Sequence, residues 1–439
     1  MTHTFPYPGV PPLTVPDANV LGVFSARECR SCTEPAELVR DALAAPIGTP
    51  RLSRLAAECR PGGAQSVLIV VDDVSRPTPV HLLLPPILEE LRAGGVPDQA
   101  IEFLLALGSH RFMTAAEIAA KVGPGVAGRF PIHNHDWKDP DACELMGETS
   151  QGVKVWINKR VARADLVIGV GRIMPLEVSG FTGGGKILVP GVCGKLTNDE
   201  MHWTRMDLPD EEILGKRDNP VRASIDRFAR AAGLDFILNV VMDSRGQIQH
   251  AVAGDMVEAH RTGCELALEV HAVRFPRLAD IVVADSFPFD IEFWQANKAL
   301  DQAGLVVRKG GALVLVSPCT EGFSATFREL IDFGYPPIQE IKRMVADGKI
   351  VNKVVAVHMA QVSHIARERA TVILVTQGIS PQDVRKVGLE YAATPQEALT
   401  RAFQVAGREA KVALVKGAAE MLPIVEDGDR NGASGRRVQ

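Results

Sequence analysis

Five consecutive apolar residues, Val67-Leu-Ile-Val-Val71, run directly into Asp72 and Asp73. A strand with one solvated face alternates apolar and polar residues, whereas an unbroken run suits a strand covered on both faces, as in a parallel sheet. Similar runs recur at 101–108, 166–171, 236–242, 281–285, 311–317, 371–376 and 412–416, with a further strand expected at 153–157. Helix-length stretches separate them at 81–93, 255–273, 292–303 and 395–405. Thr114 with Glu117, and Thr394 with Glu397, read as capping boxes, and Pro395 suits the first helical position. This alternation predicts an α/β fold of two α/β domains with mostly parallel sheets joined by helical connectors. The expected division is a cofactor-binding domain over 1–265 and a domain over 266–423 that completes a substrate pocket. The Gly- and charge-rich stretch 424–439 is expected to be a disordered tail.

Composition narrows the functional classes. The net charge is −5 with no basic stripe, which argues against a nucleic-acid partner. No apolar run approaches the roughly 20 residues that span a bilayer. The start, Met1-Thr-His-Thr-Phe-Pro-Tyr-Pro, has neither the charged nor the apolar region of a signal peptide, so a cytoplasmic protein is expected. The cysteine total is seven, an odd number that suits a reducing compartment. Cys29 and Cys32 form one C-x-x-C without the second pair a zinc site needs, and they read as incidental thiols.

The chemistry is concentrated in Gly180-Phe-Thr-Gly-Gly-Gly-Lys-Ile-Leu-Val-Pro-Gly191, followed by His202. Glycines at 183, 184 and 185 beside Lys186 suggest a backbone that approaches a ligand closely. Gly180 to Lys186 fits the G-x-x-x-x-G-K loop of nucleoside triphosphatases, but Ile187 replaces the magnesium-binding hydroxyl and Pro190 interrupts the helix that should follow. Lys186 therefore calls for a different task. Two further polar clusters follow expected strands, where ligands of open α/β sheets bind. Arg76 can clamp a carboxylate or phosphate, or else pair with Asp73 to hold the loop. His110 shares the expected sheet edge with both loops and reads as functional.

Taken in order, these pieces resemble one family. Asp72-Asp73-x-x-Arg76-Pro-x-Pro79, Gly108-x-His110-Arg111, Gly183-Gly-Gly-Lys-x-x-x-Pro-Gly191, His202, and Asp290-x-x-x-x-Gln295-x-x-Lys298 are similar to the lactate racemase family over residues 36–415. The resemblance implies a nickel-pincer nucleotide bound covalently through Lys186, with His202 as a nickel ligand and Asp73 and the glycine amides near the nucleotide. It further implies that Arg76, Gln295 and Lys298 hold the substrate and that His110 is an acid/base. The implied partners are a small 2-hydroxy acid and the proteins that make the cofactor. The implied activity is racemisation or epimerisation of that acid by reversible hydride transfer.

The chain departs from the family pattern where a second acid/base histidine follows a proline: here Pro175 precedes Leu176. Trp294 stands where the racemase has tyrosine, and His358 where it has tryptophan. A substrate other than lactate is expected, with His358 the preferred replacement for the second acid/base and Glu177 a neighbour of the gap. The alternatives are one-base chemistry with the same cofactor, a non-catalytic nucleotide-binding homologue, and a phosphoryl-transfer enzyme.

Overall fold

The unbroken apolar runs are inner strands. The computed structural model describes residues 1–26, 34–59, 61–149, 152–206, 208 and 210–426, to which all counts of elements refer. One six-stranded sheet has the order Ile248–Gly254, Leu234–Met242, Leu166–Arg172, Val67–Asp72, Ile101–Ala106, Ile132–Asn134. Its pairs are parallel except for Leu234–Met242 with Ile248–Gly254. Alternate residues of the strand Val67–Asp72 feed different cores: Ile69 and Val71 pack on one side, Leu68 and Val70 on the other. Helices on both faces leave no position for a polar side chain, which is why the run does not alternate.

A second six-stranded sheet is parallel throughout, in the order Glu390–Ala392, Ala370–Val375, Val307–Val316, Ala279–Asp285, Val412–Lys416, Val20–Ser25. The last strand corrects the expected boundary. Val20–Ser25 lies far ahead of residue 266 yet pairs with Val412–Lys416, so the first domain does not begin at residue 1. The other end of the second domain also shifts. Leu422–Val425 pairs in parallel with Ala272–Phe275, so residues 424 and 425 are strand; residues 427–439 lie outside the described residues.

Other differences are local. The strand expected at 153–157 does not join the parallel sheet; Lys154–Asn158 forms a hairpin with Cys143–Glu148. The helix expected at 255–273 spans Glu258–His271. Thr114 and Glu117 form a full capping box. At Thr394 only half of one exists: its hydroxyl accepts from the Glu397 N–H (3.2 Å), while the Glu397 carboxylate accepts from Ala393. Cys29 and Cys32 also lie outside the described residues, and Cys143, Cys193, Cys264 and Cys319 are free thiols. Among the described residues, no helix is long and apolar enough to cross a membrane.

Candidate active site

Strand ends of the first sheet carry the polar clusters into one cleft, and the second lobe closes it. The loop after Val67–Asp72 is held from behind. Buried Lys121 pairs with Asp72 (Nζ–Oδ1 2.7 Å) and donates to the Arg76 carbonyl (2.7 Å), while Thr78 Oγ1 donates to Asp72 Oδ2 (2.5 Å). The Lys121–Asp72 contact does the anchoring considered for Asp73 and Arg76. Asp73 instead accepts from Ser75 N (3.0 Å) and Ser75 Oγ (2.5 Å) and meets His110 Nδ1. Burial raises the Asp73 carboxyl, but His110, Arg76 and Ser75 together outweigh it and hold the group well below the usual carboxylate range. An ionised Asp73 accepts a hydrogen bond from Nδ1–H, so His110 presents its Nε2 lone pair to the cleft. There the Gln295 amide nitrogen lies 3.1 Å away.

Gln295 belongs to the helix Phe293–Gly304, which places Lys298 one turn later on the same face. Gln295 Oε1 accepts from Arg76 Nη1 (3.2 Å) and from Lys298 Nζ. One neutral amide is therefore contacted by two cations and an imidazole. Burial, then the charge of Arg76, lowers Lys298 to about 7. His358, on the helix Lys353–Ser363, also lines the cleft. Its ring stacks on Trp294 with centroids 4.5 Å apart, and Phe293 and Tyr335 enclose it further. Burial and Lys298 lower His358 to about 3. A ring so reluctant to protonate is a neutral hydrogen-bonding group here, which weighs against the acid/base part expected of it at neutral pH. Leu176 is in the cleft wall, 3% exposed.

The glycine-rich loop makes a single 3-10 turn, Gly184–Ile187, that does not continue into a long helix. The three glycines have reasons that the ligand-approach reading did not anticipate. A Cβ on Gly183 would come 2.7 Å from Ile173 and 2.8 Å from Asn239 Oδ1; on Gly184, 2.8 Å from the His260 ring; on Gly185, 2.8 Å from Ala229. Protein packing thus occupies these spaces, and only Gly183 of the three borders the cleft. Gly184 and Gly185 instead let the turn settle against the helices that carry His260 and Ala229, which brings Lys186 to the cleft half-buried.

The Lys186 side chain has no hydrogen bond or ion pair among the described residues, while its backbone bonds to Gly183 and Gly191. Burial first, then Arg76 and Arg222, lowers it to about 7. A lysine in that state is substantially an uncharged amine near neutral pH, the form that makes covalent bonds. His202, on the helix Lys195–Trp203, points Nδ1 at the Asn198 carbonyl (2.8 Å). That contact makes Nδ1 the donor and leaves Nε2 with its lone pair, while burial and Lys186 lower the ring to about 4. Both residues fit the cofactor: an acylable amine and a neutral imidazole donor of the kind nickel accepts. Among the described residues no three His, Cys, Asp or Glu side chains converge as a metal cage. A nickel ion at His202 would accordingly draw its other donors from the organic part of the cofactor.

Sequence reasoning overlooked Ser75 and Asn239. Ser75 Oγ donates to Asp73 and receives Arg76 Nη1 (2.9 Å); Asn239 Oδ1 accepts from the Gly184 N–H (2.8 Å). Ser75 sits within the Asp72–Pro79 motif, but Asn239 is hidden inside an apolar strand and carries no local signal.

Architecture and cleft define a two-lobed α/β protein whose cleft, lined by Arg76, Lys186 and Lys298, takes side chains from both lobes. The family models of the lactate racemase N-terminal and C-terminal domains match residues 9–213 and 276–422. The lactate racemase of Thermoanaerobacterium thermosaccharolyticum is 31% identical over 330 residues, covering 72% of this chain and 75% of the relative. That of Lactiplantibacillus plantarum is 29% identical over 385 residues, covering 86% and 88%. The structure of the T. thermosaccharolyticum lactate racemase apoprotein superposes with a TM-score of 0.85 at 27% identity, covering 97% of this chain and 100% of that one. A Thermotoga maritima protein, 22% identical with a TM-score of 0.72 over 89% of this chain and 98% of its own, shares the fold. The chain belongs to the lactate racemase family.

Proposed function

We propose that the protein is an isomerase, a nickel-pincer nucleotide-dependent racemase or epimerase of a 2-hydroxy acid other than lactate. The observation that carries this reading is the meeting of Arg76, Lys298 and His110 on the single amide of Gln295. A 2-hydroxy acid needs the same three groups: two cations for its carboxylate and a base for its hydroxyl. Membership of the lactate racemase family supports the same chemistry, and the relatives named above are lactate racemases.

In this reading Arg76 and Lys298 hold the carboxylate, with Arg76 supplying a planar pair of donors. Gln295 orients the hydroxyl toward His110 Nε2, which takes its proton. Asp73 fixes the His110 tautomer and stabilises the imidazolium that forms, an arrangement parallel to the Asp–His pair of serine proteases. General-base help of this kind is worth typically about 10²–10⁴-fold. Lys186 would hold the cofactor covalently, after delivery by the proteins that make it, and His202 Nε2 would bind its nickel. When bound, the cofactor supplies an acceptor for the hydride at C2, so that a carbanion beside a carboxylate is avoided.

One observation favours a second reading, one-base hydroxy-acid chemistry with the same cofactor: Leu176 has no proton to exchange, and His358 is held neutral. Product stereochemistry separates the two. Cofactor-loaded protein is incubated in D2O with a panel of single-enantiomer 2-hydroxy acids. Inversion at C2 with the original hydrogen retained supports the first reading. Consumption of an acid without inversion at C2 supports the second.

A further inference from the structure

One end of the cleft is walled by Leu176 and Glu177, the helix Phe293–Gly304 and the helix Lys353–Ser363, and it holds polar groups with no part in the steps above. Glu177, Asn297 and His358 line it and are 7%, 3% and 5% exposed. Glu177 Oε2, Asn297 Oδ1 and His358 Nε2 each lack a hydrogen-bond partner. Gln361, which also lines the cleft three residues beyond His358, has an unpartnered Nε2. Buried polar atoms in folded proteins are paired in the great majority of cases, so four orphans in one wall call for a ligand that satisfies them. Building on the isomerase reading, we infer that the substrate is polyhydroxylated, an aldonic (sugar) acid. Its carboxylate and 2-hydroxyl meet Arg76, Lys298, Gln295 and His110. Its remaining hydroxyls pair with Glu177, Asn297, His358 and Gln361.

The argument rests on matching donors to acceptors. A hydroxyl both donates and accepts, so it can serve a carboxylate oxygen, an amide oxygen, an amide NH2 and a neutral imidazole alike. An alkyl or phenyl side chain would leave all four groups unpaired and would lose affinity accordingly. A second carboxylate only accepts; it would face the acceptors Glu177 Oε2 and Asn297 Oδ1, while Lys298 is already committed to the first carboxylate.

The test uses gluconate, lactate, malate and phenyllactate. Cofactor-loaded protein is assayed for inversion of each at C2, and cofactor-free protein is titrated with each by calorimetry. Gluconate is expected to exceed the other three in kcat/KM by about 100-fold or more, as a site built to bind hydroxyls discriminates against analogues without them. Gln361→Leu and Asn297→Ala, on separate helices, are each expected to raise the KM for gluconate about tenfold. Inversion of lactate, malate or phenyllactate at least as efficient as that of gluconate overturns the inference and leaves the isomerase reading standing. Gluconate binding to cofactor-free protein, without inversion of any acid by the loaded protein, supports the polar subsite and overturns the isomerase reading. Gluconate that neither binds nor reacts overturns the inference outright.

Discussion

Gln295 is the residue on which the site turns, because its amide oxygen bridges Arg76 and Lys298 while its nitrogen meets His110. Arg76→Ala is expected to abolish measurable turnover, and Arg76→Lys to leave a large deficit in kcat/KM. Charge-assisted hydrogen bonds are worth roughly 1.5–3 kcal/mol, and lysine lacks the planar fork. Full activity in Arg76→Ala would remove Arg76 from the carboxylate site. Lys298 also affects stability. Its folded value is lowered from 10.5 to about 7, so the unfolded chain binds the extra proton between those limits. The penalty is therefore fully present below pH 7 and is relieved as pH rises from 7 toward 10.5, with a slope of up to about 1.4 kcal/mol per pH unit. Denaturant titrations of cofactor-free Lys298→Met should show greater stability at pH 7 than the parent and a flatter pH profile. A parent profile flat between pH 7 and 10 would contradict the lowered value. Arg76, His110, Lys186, His202, Gln295 and Lys298 were all legible in the sequence, because each belongs to a motif at a strand end or on a helix face, and the fold brings them into one cleft. Ser75 and Asn297 were not, because short polar residues inside a motif announce nothing until their neighbours are known.

At the scale of elements, the parallel strands were readable because two-sided burial leaves an unbroken apolar run, and Val67–Asp72 is such a strand. The helix Lys353–Ser363, which carries His358, was not read as a helix. Nine of its residues are buried, so it has no amphipathic stripe to betray its period. The strand Val20–Ser25 has the opposite character: it contains Gly22 and is only partly buried, so no unbroken apolar run marks it. The glycine-rich loop was found, but its glycines answer to packing behind the turn. Gly184 has φ near +58° and no room for a Cβ beside His260. Gly184→Ala should cost about 1–3 kcal/mol of stability, as overpacked sites do, and lower Tm correspondingly. An unchanged Tm would mean that the turn can shift without strain.

Over the whole molecule, the cleft exists only while both lobes are held together. Arg172, at the end of an inner strand of the first sheet, pairs with Glu420 of the C-terminal segment at 2.6 Å, with side chains 1% and 4% exposed. Removing one partner strands a buried charge, so Arg172→Ala should cost about 3–5 kcal/mol, while Arg172→Met with Glu420→Leu should recover much of the loss. A double variant no more stable than Arg172→Ala would show that the pair contributes more than mutual neutralisation. Lys186 is the proposed point at which a nickel nucleotide is bound covalently in this cleft. The most direct measurement is intact mass together with nickel content, for protein produced alongside the cofactor-making enzymes, compared with Lys186→Ala made identically. The parent should carry an added mass and bound nickel, and the added mass should be absent from the variant. A parent without the adduct, or a variant that carries the same one, would contradict it.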